Sequence, residues 1–280
     1  MKRKIVAQGA GGHTISLPID WIRLNKIKVG GSVDVIQQGH DLLIANDFSG
    51  LSKEIKFEIS SNSETYIRLL LSNAYRSGYS KIFINGNVSK KIIAKIVNDY
   101  LLGFEMSGIS PNYLIESVNE PDLLKFNNLL IKQLFMLSEI VINISDDIEN
   151  IVFRIQKYDN FLKRCLSSNK IEISNKFVMW QFLSNITYSA RAFYHFKKDV
   201  KNITQTNEIE KLKEMINIIK KSYLTNDYLI LDKLHNIEKN ILMNKDITNK
   251  ENYHIKTIAR LLYFCSSPLV SIILNKKFDI

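Results

Sequence analysis

At 280 residues the chain is too long for one small module, and a make-up of 45% hydrophobic and 24% charged residues is that of an ordinary globular protein of two or three units. Its two cysteines, Cys165 and Cys265, lie far apart without a CxxC or CxxH neighbour, which excludes a disulfide framework or zinc site and suits small buried residues in a reducing compartment. A formal charge of +10 favours an anionic partner such as nucleic acid, phosphate or an acidic membrane surface.

The first unit is expected over residues 1–47. A strand over Arg3–Ala7 is followed by a glycine-rich loop and a second strand over His13–Ser16. A helix of one or two turns then enters through Pro18, whose fixed φ and missing donor suit the first helical position. A turn at Val29-Gly30-Gly31 leads to a hairpin of Val33–Ile36 with Leu42–Ile44. So short a segment buries too little surface to fold alone, which predicts that it gains its core by interleaving with a second copy. Trp21 is then expected in the dimer core.

After a break at Phe48-Ser49-Gly50, residues 52–119 read as a small α/β connector. A strand over Glu54–Ile59 precedes a helix capped within Ser60–Ser63 and ended at Gly78, with Tyr66, Leu69, Leu70, Asn73 and Ala74 on one face. Lys81–Ile84 is a strand. A helix from about Ser89 buries Ile92, Ile93, Ile96, Val97 and Tyr100 and stops at Gly103, and strands over Phe104–Ile109 and Tyr113–Val118 complete the unit. With no phosphate-cradling glycine loop, this unit reads as structural or dimer-forming.

From Pro121 to the end glycine is absent and helical periodicity takes over, as in the repeat Phe126, Leu130, Leu134, Leu137, Val141, Ile144 and again in Ile230, Leu234, Ile237, Ile241. Breaks near 145–147, 167–169, 202–207, 225–227 and 244–249 leave six helices over Asp122–Asn143, Asp146–Leu166, Ser174–Val200, Glu208–Tyr223, Asp227–Met243 and Lys250–Leu274. Six antiparallel helices divide into two three-helix bundles. Pro268 is expected to bend the last helix or end it early. The fold class expected for the whole chain is α+β: a swapped-hairpin β domain, an α/β connector and a helical domain over 121–280.

The core Gly11-Gly12-His13-Thr14-Ile15-Ser16-Leu17-Pro18 resembles the SpoVT-AbrB swapped-hairpin DNA-binding domain. The helical region resembles a PhoU domain, and the order of units is similar to an archaeal combination in which a SpoVT-AbrB head is followed by an α/β linker and PhoU helices. Leu101-Leu102-Gly103-Phe104-Glu105 is similar to that family's Leu-x-Gly-x-Glu-Ile join, and Tyr158-Asp159-Asn160-Phe161-Leu162 stands where the family has an acidic-rich Val-Asp-Arg-Leu. The resemblance implies a cytoplasmic homodimer that regulates transcription or phosphate uptake. The alternative is an adaptor that does not bind DNA, whose helices dock onto a phosphate transporter or a signalling protein.

Lys2, Arg3, Lys4, His13 at the tip of the glycine loop, Arg23 and Lys26 are the candidate DNA-binding residues, with Lys28 beside them. Doubled in a symmetric dimer they make one basic surface facing phosphates. PhoU bundles usually carry Glu/Asp-x-x-x-Asp motifs that chelate cations. Here Ile155 stands four residues before Asp159, and the third helix offers Ser184 and Tyr188. No metal and no cofactor are expected, and Asp159 reads as a cap, a salt-bridge partner or a leftover. Asp232, His235 and Glu238, spaced i, i+3, i+6, read as an exposed face.

Catalytic motifs are absent: the sequence holds no nucleophile elbow, HExxH or Walker loop, and an enzyme is not expected. His195, within Phe193-Tyr194-His195-Phe196, reads as a packed core or interface residue. The start Met1-Lys2-Arg3-Lys4 opens no signal-peptide core. The apolar run Leu129–Ile144 is interrupted by Lys132, Gln133 and Glu139, so it is expected as an amphipathic core helix rather than a membrane span.

Overall fold

The computed structural model describes residues 3–9, 11–38, 41–46, 53–121, 125–144, 147–167, 173, 175–201, 203, 206–243 and 249–278. Lys2 and the expected breaks at 48–50, 168–169 and 244–248 lie outside the described residues. The fold is α+β, with small sheets in the N-terminal part and helices in the C-terminal part. The chain divides into two compact units, Met1–Lys53 and Glu54–Ile280.

In the first unit, β1 (Ile5–Gln8) and β2 (Gly12–Ile15) form an antiparallel hairpin that sets Ile5 opposite Ile15 and Ala7 opposite His13. Helix α1 (Ile19–Leu24) follows. Pro18 stands at its N-cap, with φ −61° and ψ 130°, one position before the expected one, because the extended ψ already turns the chain out of the helix there. Asn25 closes the helix by donating Nδ2 to the Trp21 carbonyl at 2.8 Å. A second antiparallel hairpin, β3 (Asp34–Gln38) with β4 (Asp41–Ala45), sets Val35 opposite Ile44. The two hairpins form separate two-stranded sheets.

The second unit opens with a four-stranded sheet of β5 (Lys53–Glu58), β6 (Tyr79–Asn85), β7 (Phe104–Ile109) and β8 (Asn112–Ser117) in the order β5-β6-β8-β7. Strand β8 runs antiparallel to both neighbours, so β6 and β7 point the same way. Helix α2 (Glu64–Arg76) begins where the Ser63 hydroxyl accepts the Tyr66 N–H at 3.4 Å. Its buried stripe is Ile67, Leu71, Ala74 and Tyr75, whereas Tyr66, Leu69 and Asn73 of the expected face are exposed. Apolar residues run round much of this helix. One stripe packs into the core while Tyr66 and Leu69 stay exposed, a division that hydropathy alone could not make. Helix α3 (Lys90–Tyr100) buries Ile93, Ile96, Val97 and Tyr100, with Ile92 partly covered, as its spacing predicts. The chain then turns at Gly103, φ +80°, where an added Cβ would lie 2.6 Å from the Asn119 carbonyl oxygen.

The helical part comprises α4 (Phe126–Ile142), α5 (Glu149–Ser167), α6 (Lys176–Asp199), α7 (Asn207–Thr225), α8 (Asp232–Leu242), α9 (Lys250–Tyr263) and α10 (Ser266–Phe278) among the described residues. Helices α4, α5 and α6 pack pairwise on one another, as do α7, α8 and α9, and the two triplets meet along α4–α7 and α6–α9. Asn175, Thr206 and Asn249 cap three of these helices by accepting backbone N–H groups.

Where one last helix was expected there are two, divided at Phe264-Cys265. Pro268 is the cause. It has no N–H to give the Phe264 carbonyl four residues earlier, and its ring crowds that oxygen. Asn185 of α6 takes up the freed oxygen, donating Nδ2 to it at 2.7 Å. By length and composition the stretch Lys250–Lys276 could cross a membrane. In this unit it supplies Ile258, Leu262, Leu269 and Ile273 to the core.

Candidate nucleic-acid interface and a buried ion network

In the N-terminal unit no residue of described burial is buried. Ile5, Val6, Ile15, Ile19, Leu24, Val29, Val35 and Leu42 are all exposed, Ile5 at 69% and Leu24 at 82%, while Trp21 is half-buried. The second unit, by contrast, has a continuous core. Among the described residues, these eight apolar side chains are therefore left uncovered within one copy of the unit.

Arg3, Lys4, Arg23 and Lys26 are exposed, as is His13. Lys26 sits just past the end of α1 with φ 52°, its N–H donated to the Arg23 carbonyl at 3.1 Å. His13 is not at the loop tip: it lies in β2 opposite Ala7. Strand alternation puts it on the face of Ile5 and Ile15 rather than that of Val6 and Thr14. The loop is one residue shorter than the run of glycines suggests, because Gly12 already pairs with Gln8.

In the second unit the most elaborate polar structure lies along α5. Arg164, 7% exposed, makes a two-pronged ion pair with Glu120, Nη2 to Oε1 at 2.9 Å and Nε to Oε2 at 3.1 Å. Its Nη1 donates to the Tyr75 and Tyr79 carbonyls at 2.9 and 2.7 Å, and its guanidinium lies 5.0 and 4.9 Å from the Tyr75 and Phe104 ring centres. One turn earlier Asn160 donates to the Tyr100 carbonyl at 2.9 Å and accepts Arg76 Nε at 2.7 Å. Lys157 reaches the Asn98 carbonyl. Residues 157, 160 and 164 form one helical stripe. This stripe crosses from the helices to the α/β part within the compact unit 54–280, alongside the apolar core that they share.

Asp159 is a buried salt-bridge partner. At 1% exposure it pairs with Lys163 Nζ at 2.9 Å and Arg76 Nη2 at 3.8 Å. Thr187 stands close enough to favour the charged carboxylate without reaching hydrogen-bond geometry, and Asp159 Oδ1 and Thr187 Oγ1 have no hydrogen-bond partner among the described residues. Burial pushes the Asp159 carboxyl above the usual range, against the pull of Lys163 and Arg76, and the same burial pushes the Lys163 ammonium down. A carboxyl that protonates more readily folded than unfolded makes a contribution to stability that grows as pH falls through its folded pKa. The stability difference between wild type and Asp159→Asn is thus expected to shift in favour of wild type on acidification, measured by urea unfolding at a series of pH values. A difference constant with pH would contradict a raised carboxyl.

Two further expectations are corrected. Glu238 is 2% exposed, not on a solvated face, and pairs with Arg260 Nη1 at 3.0 Å and His235 Nδ1 at 3.8 Å, because α9 packs over that side of α8. His195 is exposed and so not a core residue, since its neighbours Phe193 and Phe196 take the inward positions of α6; the interface reading is untouched by this. Cys165 and Cys265 are buried, and burial pushes the Cys265 thiol up, which keeps it protonated and unreactive. Among the described residues no three His, Cys, Asp or Glu side chains converge as metal ligands would.

No family model matches the chain, and neither a curated protein nor a solved structure matches it.

Proposed function

We propose that this chain is a dimeric regulator that binds DNA through its N-terminal unit and carries a PhoU-like helical body. The observation that carries this reading is the first unit itself. Two hairpins flank a short helix, and eight large apolar side chains lie exposed in a single copy. A second copy laid against the first would cover the Ile5 and Ile15 face, and each copy would contribute Arg3, Lys4, Arg23 and Lys26 to a basic surface of two-fold symmetry. A DNA site with matching symmetry is the complement of such a surface. The triplets α4–α6 and α7–α9 support two three-helix bundles for the body, and the link to phosphate uptake comes from the resemblance to regulators of that process.

The test is a mobility-shift titration of the full chain on genomic fragments over a range of salt. Changing Arg3 and Arg23 together to Ala removes four phosphate contacts from a dimer. The slope of log K against log salt is expected to fall in magnitude by about 3–4, with affinity weakened on every fragment alike. An unaltered slope would show that these residues do not face DNA. If the wild type binds no fragment, the hairpins serve dimerisation alone, and the helices dock onto a transporter or a signalling protein.

A further inference from the structure

A cavity of about 500 Å³ opens between α2, α5 and α6, and its lining is strongly one-signed in charge. Arg68, Arg76, Lys163 and Arg191 line it against the single carboxylate of Asp159. That carboxylate is already engaged by Lys163 and Arg76. The other two guanidiniums have no carboxylate. Arg68 donates to the Tyr100 hydroxyl at 3.1 Å and lies 5.3 Å from that ring's centre, and the Arg191 side chain makes no hydrogen bond or ion pair among the described residues. Lys163 and Arg76 are the two cations paired with that acid, and Arg68 and Arg191 add to the same lining, so the cavity wall carries an excess of positive charge that an anion would neutralise. A divalent metal ion is unsuited to such a set, and a singly charged carboxylate neutralises only part of it. A phosphoryl group carries up to two negative charges and three acceptor oxygens that match the planar fork of a guanidinium.

The rest of the lining indicates what the phosphoryl group is attached to. Tyr188 and Tyr194 both border the cavity, with Tyr188 53% exposed and Tyr194 half-buried. Large aromatic faces beside a cluster of cations suit a ligand with a flat ring next to its charge. Thr187, buried at the cavity wall, stands by the Asp159 carboxylate, so the acid of the lining is held by its own neighbours.

We propose that this cavity binds a small organic phosphate, its phosphoryl group held by Arg68, Arg76, Lys163 and Arg191 and its flat ring lying against Tyr188 and Tyr194. The site is built wholly within the second unit, so binding is independent of whether the first unit engages DNA. Because α2 belongs to the α/β part and α5 and α6 to the helices, a ligand held here bridges the two parts of this unit.

The test is isothermal titration calorimetry of the full-length protein with adenosine 5′-monophosphate, inorganic phosphate and adenosine. The monophosphate is expected to bind, inorganic phosphate more weakly, and adenosine not at all. Arg68→Gln and Arg191→Gln change side chains that are half-buried and exposed, so the fold is retained, and each is expected to weaken the monophosphate by about tenfold. Failure of both the monophosphate and inorganic phosphate to bind at millimolar concentration overturns the proposal, and so does monophosphate binding unchanged in the Arg68→Gln, Arg191→Gln double variant. Inorganic phosphate binding as tightly as the monophosphate overturns the role of the aromatic wall. Adenosine binding as tightly overturns the role of the cations.

Discussion

Replacing Arg164 by Ala is expected to lower the unfolding free energy by about 3 kcal/mol, toward the lower end of what breaking a buried ion pair costs. Arg164 is 7% exposed and its guanidinium serves three purposes at once: it neutralises Glu120, donates to the Tyr75 and Tyr79 carbonyls, and packs beside the Tyr75 and Phe104 rings. Truncation removes a donor from each of the Tyr75 and Tyr79 carbonyls, the first of which keeps the Gly78 N–H at 3.1 Å, and leaves a carboxylate without its counter-ion and a hole. Glu120 moderates the loss, since 26% of its side chain is already exposed and water can reach it. Arg164→Lys is expected to recover little, because one ammonium cannot make a two-pronged pair and reach two carbonyls in the guanidinium plane. Urea unfolding followed by circular dichroism is the measurement. A loss under about 1 kcal/mol for the alanine variant would show that Arg164 does not hold the α/β part on the helices, and that the other contacts of the junction do.

The second large effect is expected in the first unit. The full-length wild type should sediment as a dimer at micromolar concentration, and the Ile5→Asp, Ile15→Asp double variant as a monomer with its DNA binding lost. Ile5 and Ile15 face each other across the hairpin and are exposed in one copy. If they are buried between copies, four isoleucines leave the interface of each dimer. At about 1.5 kcal/mol or more each, that is about 6 kcal/mol, or over four orders of magnitude in dimer affinity. Charge repulsion between the four aspartates adds to this. A variant still dimeric at the same concentration would show that the hairpins do not form the interface. A wild-type monomer would remove the interleaved architecture altogether.

Much of the local structure was legible in the sequence, because it is decided within a few residues. The serine before Glu64 caps a helix through an oxygen three residues away, and Pro268 breaks one by failing a carbonyl four residues back. The stripes of α3 and α4 followed their spacing, and the basic residues around the hairpins were visible as charge. Their placement was less so. His13 moved from a loop tip to the inner part of a hairpin because the strand register, not the run of glycines, fixes where the turn ends.

What only the tertiary structure decided is the fate of polar residues on helices. Lys157, Asn160 and Arg164 have the spacing of a solvated face, as does Glu238 beside Asp232 and His235, which do stay exposed, and nothing local separates a residue that meets water from one that meets protein. The groups that complete Arg164 are 44 residues away at Glu120 and 89 away at Tyr75, and Arg76 reaches Asn160 across 84. Asp159 belongs to the same class. Its neighbours on α5 suggest a surface carboxylate, and Arg76 of α2 together with Lys163 makes it an interior one. Periodicity fixes which side of a helix a residue occupies. Which other element covers that side is settled by packing between segments far apart in the chain, where desolvation and pairing are decided together.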